Sequence, residues 1–140
     1  MKGGCLCGAV RYRLGAAPRD VGWCHCRKCQ LSSGSPAMAF GTVREDEFGV
    51  ESGREAIRFF ASSPDAERYF CGQCGTPLYV TEHREPGELY VSVATLDEPE
   101  RVTPGFHIFY ADRIAWAPAC DDKPVFDGFR RDPNASRDGR

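Results

Sequence analysis

Three thiols and an imidazole lie within six residues of this chain, in the segment Cys24-His25-Cys26-Arg27-Lys28-Cys29. A chain that turns tightly can aim all three sulfurs at one soft cation, and zinc prefers four thiolate or imidazole ligands in a tetrahedron. The three cysteines therefore predict a metal site whose fourth position is filled from elsewhere. His25 could fill that position and make the site structural, or the position could belong to water or a substrate.

Two further cysteine pairs are flanked by glycines, namely Cys5 with Cys7 and Cys71 with Cys74. Glycine lets a backbone fold around a metal without Cβ clashes. Together the two pairs would supply the four thiolates of a closed zinc site that ties distant chain segments together. In the alternative grouping the triplet shares ligands with Cys71 and Cys74, which leaves Cys5 and Cys7 without partners, so we favour the four-sulfur site.

The eight cysteines are even in number, which would permit a disulfide framework. The N-terminus has no hydrophobic signal region, however, so we expect a cytoplasmic protein in a reducing compartment. Cysteines one residue apart would also form strained disulfides. Metal binding is therefore the preferred interpretation of seven cysteines, and the isolated Cys120 is expected to be an ordinary structural cysteine.

The length of 140 residues and the composition, 41% hydrophobic and 27% charged, are typical of one globular domain. A net charge of -2 argues against a general nucleic-acid binder, which would carry a basic excess. No apolar run approaches the ~20 residues of a membrane span. We therefore expect a small-molecule partner, with neither nucleic acid nor membrane, and the sequence does not indicate an oligomeric state.

Short alternating or apolar stretches with turn residues between them predict an all-β fold. One helical turn is expected at residues 26–31, and the acidic segment 44–54 is interpreted as a solvated turn region. The domain is predicted to span residues 1–129, followed by a disordered polar tail at 130–140. The predicted strands are 10–14, 21–23, 37–43, 56–61, 78–81 and 89–95. The aromatic residues expected in the core are Phe59, Phe60, Phe109, Tyr110 and Trp116.

The segments from Gly3 to Tyr12, from Cys24 to Cys29 and from Arg68 to Leu78 resemble the glutathione-dependent formaldehyde-activating enzyme (centromere protein V) family. The later residues Thr95-Leu96-Asp97, Pro104, His107-Ile108 and Trp116 are similar to the family's C-terminal half. The resemblance extends from about residue 3 to residue 129, and every cysteine of the family pattern is present.

This resemblance implies a β-tent of packed antiparallel sheets with short strands, zinc knuckles and two zinc ions per chain. It also implies that one zinc site is structural and the other catalytic. The structural ligands would be Cys5, Cys7, Cys71 and Cys74, and the catalytic ligands would be Cys24, Cys26 and Cys29.

A zinc ion with three thiolates has a formal charge of -1, which makes it a weak Lewis acid but leaves it able to hold a substrate thiol as thiolate. We therefore predict a zinc-dependent carbon–sulfur lyase acting on an adduct of glutathione or another small thiol, such as S-hydroxymethylglutathione formed from formaldehyde. Arg27 and Lys28 could attract glutathione carboxylates or could simply be solvated. The alternative is a non-catalytic, zinc-stapled binding module. His107 is expected to be a satisfied core histidine and His83 a solvated one.

Overall fold

The computed structural model describes residues 1–130 and the backbone of residues 136–137. Strands take up 40% of the described residues and helices 17%, which confirms the predicted all-β class. The strands of this part of the chain are β1 (Lys2–Gly4), β2 (Arg11–Leu14), β3 (Arg19–Cys24), β4 (Met38–Arg44), β5 (Phe48–Ser52), β6 (Ile57–Ala61), β7 (Ala66–Cys71), β8 (Pro77–Glu82), β9 (Glu88–Ser92), β10 (His107–Ile108), β11 (Val125–Phe126) and β12 (Ser136–Arg137). The helix α1 spans Arg27–Ser33, and short 3-10 helices span Glu45–Glu47, Arg54–Ala56, Val93–Thr95, Pro99–Arg101 and Tyr110–Asp112.

The chain divides into two compact units, with boundaries inside strands β3 and β4 and after Val102. Unit 1 comprises Met1–Arg19 and Gly41–Val102, and unit 2 comprises Asp20–Phe40 and Thr103–Arg140. The two cysteine pairs expected to form a four-sulfur site both fall in unit 1. The cysteine triplet falls in unit 2, so each candidate metal site is built within a single unit.

Unit 1 contains the antiparallel sheet β1-β2-β5 and an antiparallel meander in the order β9-β8-β7-β6. The two sheets pack through aromatic rings: Tyr12 of β2 stacks on Phe48 of β5 at 5.2 Å between centroids, and Phe48 lies 4.8 Å from Tyr79 of β8. Val91, which lies opposite Tyr79 in the register of β8 and β9, is fully buried. Alternation along a strand sends one face into the core. The sequence predicted six of the twelve strands in the described residues, namely β2, β3, β4, β6, β8 and β9.

The interpretation of residues 44–54 as a solvated turn region is wrong, because Phe48–Ser52 forms strand β5. This strand pairs antiparallel with β2, with Phe48 opposite Leu14 and Val50 opposite Tyr12. Phe48 and Val50 keep the two-residue alternation of a strand, but the glycine and acidic residues beside them lower the hydrophobicity of the segment and obscure the pattern. The partner strand, 34 or more positions earlier in the chain, supplies the burial that the local composition does not.

Unit 2 is built around β3 and β10, which is the structure that positions the cysteine triplet. Strand β10 lies between β3 and β11 and is parallel to both, unlike the antiparallel pairs of unit 1. The register sets Ile108 opposite Cys24. Gly22 in β3 allows the Phe106 ring to pack directly on the strand backbone, since a Cβ at this position would lie 2.3 Å from that ring.

The predicted burial of aromatic residues is wrong at three positions. Phe59, Phe60 and Trp116 are 58%, 66% and 74% exposed, whereas Tyr110 is buried as expected. Phe59 and Phe60 belong to β6, which lies at the edge of the meander, and adjacent strand residues cannot both face one core. Local hydrophobicity identified the strand correctly but could not show that the strand lies at an edge.

Among the described residues, no helix has both the length and the apolar character needed to cross a membrane. The predicted tail at residues 130–140 lies mostly outside the described residues, so its disorder stays a prediction. The predicted cytoplasmic location also stays a prediction.

Candidate functional site

The cysteine triplet is assembled where strand β3 ends and helix α1 begins. Cys24 is the last residue of β3, Cys26 is the N-cap of α1, and Cys29 lies in its first turn. The Cys26 sulfur accepts a hydrogen bond from the Cys29 backbone N–H at 3.4 Å, which folds the Cys-x-x-Cys segment back on itself. As a result, the three sulfurs lie within 4.8 Å of one another.

The surroundings of the triplet are largely apolar. Cys24 and Cys29 are buried with Met38, and the partly buried side chains of Cys26, Phe40, Ile108 and Phe109 pack against them. The sulfurs of Cys26 and Cys29, through hydrogen bonds, raise the pKa of the Cys24 thiol, and burial raises it further. Three thiolates this close repel one another, so a cation is required for all three to ionise together. This donor set fits a thiophilic metal such as zinc.

His25 is buried between two of the triplet cysteines, but it is turned toward other partners. Its Nε2 shares a 2.8 Å hydrogen bond with Nδ1 of His107, and its ring nitrogens are not among the atoms clustered within 4.8 Å of the sulfurs. Burial, aided by His107, lowers the pKa of His25 to about 4, so the ring is neutral near pH 7. The geometry therefore favours the interpretation of His25 as a neighbour of the triplet over its interpretation as the fourth ligand.

His107 is buried and has a hydrogen-bonded partner at each ring nitrogen, as expected of a satisfied core histidine. Its Nδ1 faces His25, and its Nε2 lies 3.0 Å from the Asp121 carboxylate. No sequence pattern singles out Asp121, because 14 residues separate it from His107 in an irregular segment. Gln30 was also missed: its side-chain N–H groups donate to the His25 carbonyl at 2.7 Å and the Asp112 carbonyl at 3.2 Å.

The second group brings together the two glycine-flanked pairs, Cys5 with Cys7 and Cys71 with Cys74. Their four sulfurs lie within 4.8 Å of one another, with 3.5 Å between Cys5 and Cys7 and 3.9 Å between Cys7 and Cys71. Gly8 and Gly75 both have φ of 79°, the left-handed conformation in which each pair's turn closes. Four sulfurs from two turns match the donor set of a closed zinc site.

Thr76 connects the two turns of the four-cysteine group and was not identified from the sequence. Its hydroxyl oxygen accepts the Leu6 backbone N–H at 3.0 Å and lies 3.2 Å from the Cys74 sulfur. Hydrogen bonding by the Thr76 hydroxyl and backbone lowers the pKa of Cys74 to about 5. Cys74 is therefore set up as a thiolate, the form in which cysteine binds metal.

No disulfide joins any of the eight cysteines, and Cys120 is exposed outside both groups. The two cations beside the triplet, Arg27 and Lys28, are not buried, and the Arg27 guanidinium donates to the Gln30 side-chain oxygen at 3.1 Å. His83 is exposed as predicted. The seven clustered cysteines form the two groups favoured from the sequence. The geometry does not favour the alternative in which the triplet shares ligands with Cys71 and Cys74.

Comparison with known proteins identifies relatives of this chain. A Schizosaccharomyces pombe protein named an uncharacterized lyase is 37% identical over 78 residues, covering 56% of this chain and 55% of that protein. A Halomonas elongata protein, provisionally named a glutathione-dependent formaldehyde-activating enzyme, is 27% identical over 127 residues, covering 83% of this chain and 78% of that protein. The chain thus spans about half the length of the first relative and over three quarters of the second.

Among solved structures, the crystal structure of a Rhodobacter sphaeroides protein is similar, with a TM-score of 0.62 and 28% sequence identity. The similarity covers 74% of this chain and 92% of that one. The family model described as glutathione-dependent formaldehyde-activating enzyme matches residues 1–112, which include both cysteine groups. This chain therefore belongs to the glutathione-dependent formaldehyde-activating enzyme family.

Proposed function

We propose that this protein is a zinc-dependent carbon–sulfur lyase acting on an adduct of glutathione, or another small thiol, with a small aldehyde such as formaldehyde. The observation that carries the proposal is the group of Cys24, Cys26 and Cys29, whose three sulfurs converge in a chain of this family. Three donors from the protein leave a tetrahedral ion one position for a substrate. The lyase and formaldehyde-activating names of two relatives support the same reaction class.

The two cysteine groups have different roles in this proposal. Cys5, Cys7, Cys71 and Cys74 would hold a structural zinc, and the triplet would hold the catalytic one. When bound at the triplet, zinc would favour the deprotonated form of a substrate thiol and so keep it nucleophilic near neutral pH.

The reaction itself is an addition and its reverse. In the forward direction a carbon–sulfur bond forms between the thiol sulfur and the aldehyde carbon, the thiol loses its proton, and the aldehyde oxygen gains one. In reverse, the hydroxyl proton leaves, the carbonyl double bond re-forms as the carbon–sulfur bond breaks, and the departing sulfur takes up a proton, which regenerates thiol and aldehyde. Both directions conserve atoms and require no external oxidant or reductant.

The protein's own side chains contribute an apolar wall and a cationic approach. Phe40, Ile108 and Phe109 pack against the triplet and reduce the access of water to the sulfurs. Arg27 and Lys28 place two positive charges immediately after Cys26, where they can attract the carboxylates of glutathione. Such charges would add selectivity for an anionic thiol without touching the reacting atoms.

The test is Cys29→Ser compared with Cys120→Ser, the same substitution outside both groups. We expect Cys29→Ser to lose one of two zinc ions and to lower formaldehyde–glutathione exchange, measured by NMR with ¹³C-formaldehyde, to the uncatalysed rate. Its thermal melting should stay close to that of the wild type, because the triplet closes only a short loop. Cys120→Ser should keep both metals and full exchange.

Unchanged exchange in a Cys29→Ser protein that has lost its metal would contradict the lyase proposal. The same conclusion would follow if the wild-type protein did not accelerate exchange at all. In either case the non-catalytic, zinc-stapled binding module would be the better description.

A further inference from the structure

Three side chains that the proposed reaction does not use form a hydrogen-bonded line in unit 2. Asp121 lies 3.0 Å from Nε2 of His107, and Nδ1 of His107 lies 2.8 Å from Nε2 of His25. Both histidines are 4% exposed, whereas the Asp121 side chain is 41% exposed. The line therefore runs from the protein surface to the residue that lies between Cys24 and Cys26.

The hydrogen positions along this line follow from what each atom can donate. An ionised Asp121 only accepts hydrogen bonds, so the Nε2 of His107 carries the hydrogen. An imidazole that carries its one hydrogen on Nε2 has an accepting Nδ1, so the Nε2 of His25 donates to the Nδ1 of His107. The Nδ1 of His25 is then a bare acceptor, and it is a buried atom without a hydrogen-bond partner among the described residues. An unpaired acceptor is tolerated better than an unpaired buried N–H.

The surface end of the line is itself fixed. The Asp121 Oδ1 atom that faces His107 also accepts the Lys123 backbone N–H at 3.1 Å. This second contact holds the carboxylate in place although the side chain is partly exposed to solvent. A carboxylate that is oriented in this way can orient the imidazole that donates to it.

The other end of the line restrains the backbone of the triplet. The His25 N–H donates to the Ile108 carbonyl at 3.0 Å, and Gln30 donates to the His25 carbonyl at 2.7 Å. The His25 ring also packs edge-on against Tyr110 at 5.1 Å between centroids. Since His25 is bonded covalently to both Cys24 and Cys26, a change in its backbone conformation would move the two sulfurs.

We infer that Asp121 and His107 are positioning residues for the cysteine triplet. Through their hydrogen bonds they hold His25 in the Nε2–H tautomer and in one orientation, and His25 in turn fixes Cys24 and Cys26 as metal ligands. The inference rests on the proposed function, in that it takes the triplet to be a metal site. Outer partners of metal ligands typically change metal affinity by about 10–100-fold when they are removed.

The test uses the zinc-loaded protein and Asp121 variants, because Asp121 is exposed and its replacement leaves the core intact. Asp121→Ala removes the acceptor, Asp121→Asn keeps an oxygen acceptor, and Asp122→Ala is the matched control at the neighbouring exposed carboxylate. Two measurements are made on each protein: the ¹⁵N chemical shifts of the imidazole nitrogens, which report the tautomers, and the rate of zinc release to a chelator. The release phase that is present in the wild type and absent in Cys29→Ser is assigned to the zinc of the triplet.

We expect the wild type to carry hydrogen on Nε2 and not on Nδ1 of His25. Asp121→Ala should mix the tautomers and accelerate zinc release from the triplet by about 10–100-fold, while release from the four-cysteine group stays unchanged. Asp121→Asn should recover most of the wild-type behaviour, and Asp122→Ala all of it.

The inference is overturned if the Nδ1 of wild-type His25 carries the hydrogen, or if Asp121→Ala releases triplet zinc at the wild-type rate. Those results would leave the proposed function standing, provided that Cys29→Ser still loses metal and exchange. If the wild type holds no zinc that Cys29→Ser removes, the proposed metal site fails first, and the positioning role fails with it.

Discussion

Tyr12 is the largest side chain that is fully buried in the described structure. Its hydroxyl shares a 2.7 Å hydrogen bond with Thr95, and the surrounding atoms are close enough that a Cβ on Gly3 would lie 2.4 Å from the phenol oxygen. Burial raises the pKa of Tyr12 to about 12. The folded state therefore keeps this phenol protonated at pH values where the unfolded chain ionises it.

We predict an alkaline loss of stability that depends in part on Tyr12. An ordinary tyrosine ionises near pH 10, so the contribution of Tyr12 is fully present below pH 10 and is lost as the pH rises toward 12. Tyr12→Phe should cost about 0.5–1.5 kcal/mol at pH 7 through the lost hydrogen bond, and should flatten the decline between pH 10 and 12.

Urea unfolding of both proteins from pH 7 to pH 12 measures this effect. Tyr79, whose pKa burial also raises to about 12, remains in the variant, so part of the decline will persist. An identical pH dependence in the two proteins would show that Tyr12 is not responsible.

At the level of secondary-structure elements, the connection between β5 and β6 requires a glycine. Gly53 has φ of 79° and precedes the 3-10 helix Arg54–Ala56 as its N-cap, and a Cβ at this position would lie 1.9 Å from the Ala9 carbonyl oxygen. Gly34, which ends α1, has φ of 68°, but a Cβ there would meet no atom within 4 Å. A substitution at either glycine meets the cost of a left-handed backbone, but only a substitution at Gly53 also meets steric overlap.

We predict that Gly53→Ala destabilises the protein much more than Gly34→Ala. Gly34→Ala carries only the left-handed backbone penalty of roughly 1–2 kcal/mol. Gly53→Ala adds an overlap with backbone, which cannot move aside as a flexible side chain can, so its loss should be clearly larger. Denaturant unfolding of both variants measures the difference, and equal losses would mean that the segment near Ala9 shifts freely.

Across the whole molecule, the four-cysteine group joins segments far apart in the chain. Cys7 and Cys71 are 64 positions apart, whereas the triplet spans only residues 24–29. A metal that closes a long loop restrains more unfolded-chain entropy than one that closes a short loop. Loss of a ligand should therefore affect folding mainly at the first group and chemistry mainly at the second.

We predict that Cys71→Ser is insoluble or strongly destabilised. The substitution removes one of four sulfurs from a site whose metal would contribute several kcal/mol, out of about 10–16 kcal/mol for structural zinc. Soluble yield, zinc content and thermal melting should be compared with Cys120→Ser, which changes an exposed cysteine. A Cys71→Ser protein that melts like this control would show that the four-cysteine group is not structural.

The spacing of the cysteines was enough to predict the two groups in which their sulfurs converge, because the members of each pair and of the triplet are close in sequence. Cysteines two or three positions apart, with glycine at the turns, can converge in few ways, so the two groups could be named from the sequence. Short alternating or apolar stretches were likewise enough for the all-β class and for six of the twelve strands in the described residues, since the side-chain period of two is a property of the strand itself. Family membership followed from these same segments.

The side chains that surround those cysteines, in contrast, could be identified only from the tertiary structure. His25 and His107 are 82 positions apart, and no local pattern pairs them or adds Asp121. Strand β5 was missed because its burial comes from β2, and Phe59 and Phe60 were misplaced because a sheet edge is defined by the strands that pair there. Hydrogen-bond partners and exposure depend on contacts between distant residues, whereas spacing and alternation record only the nearest neighbours along the chain.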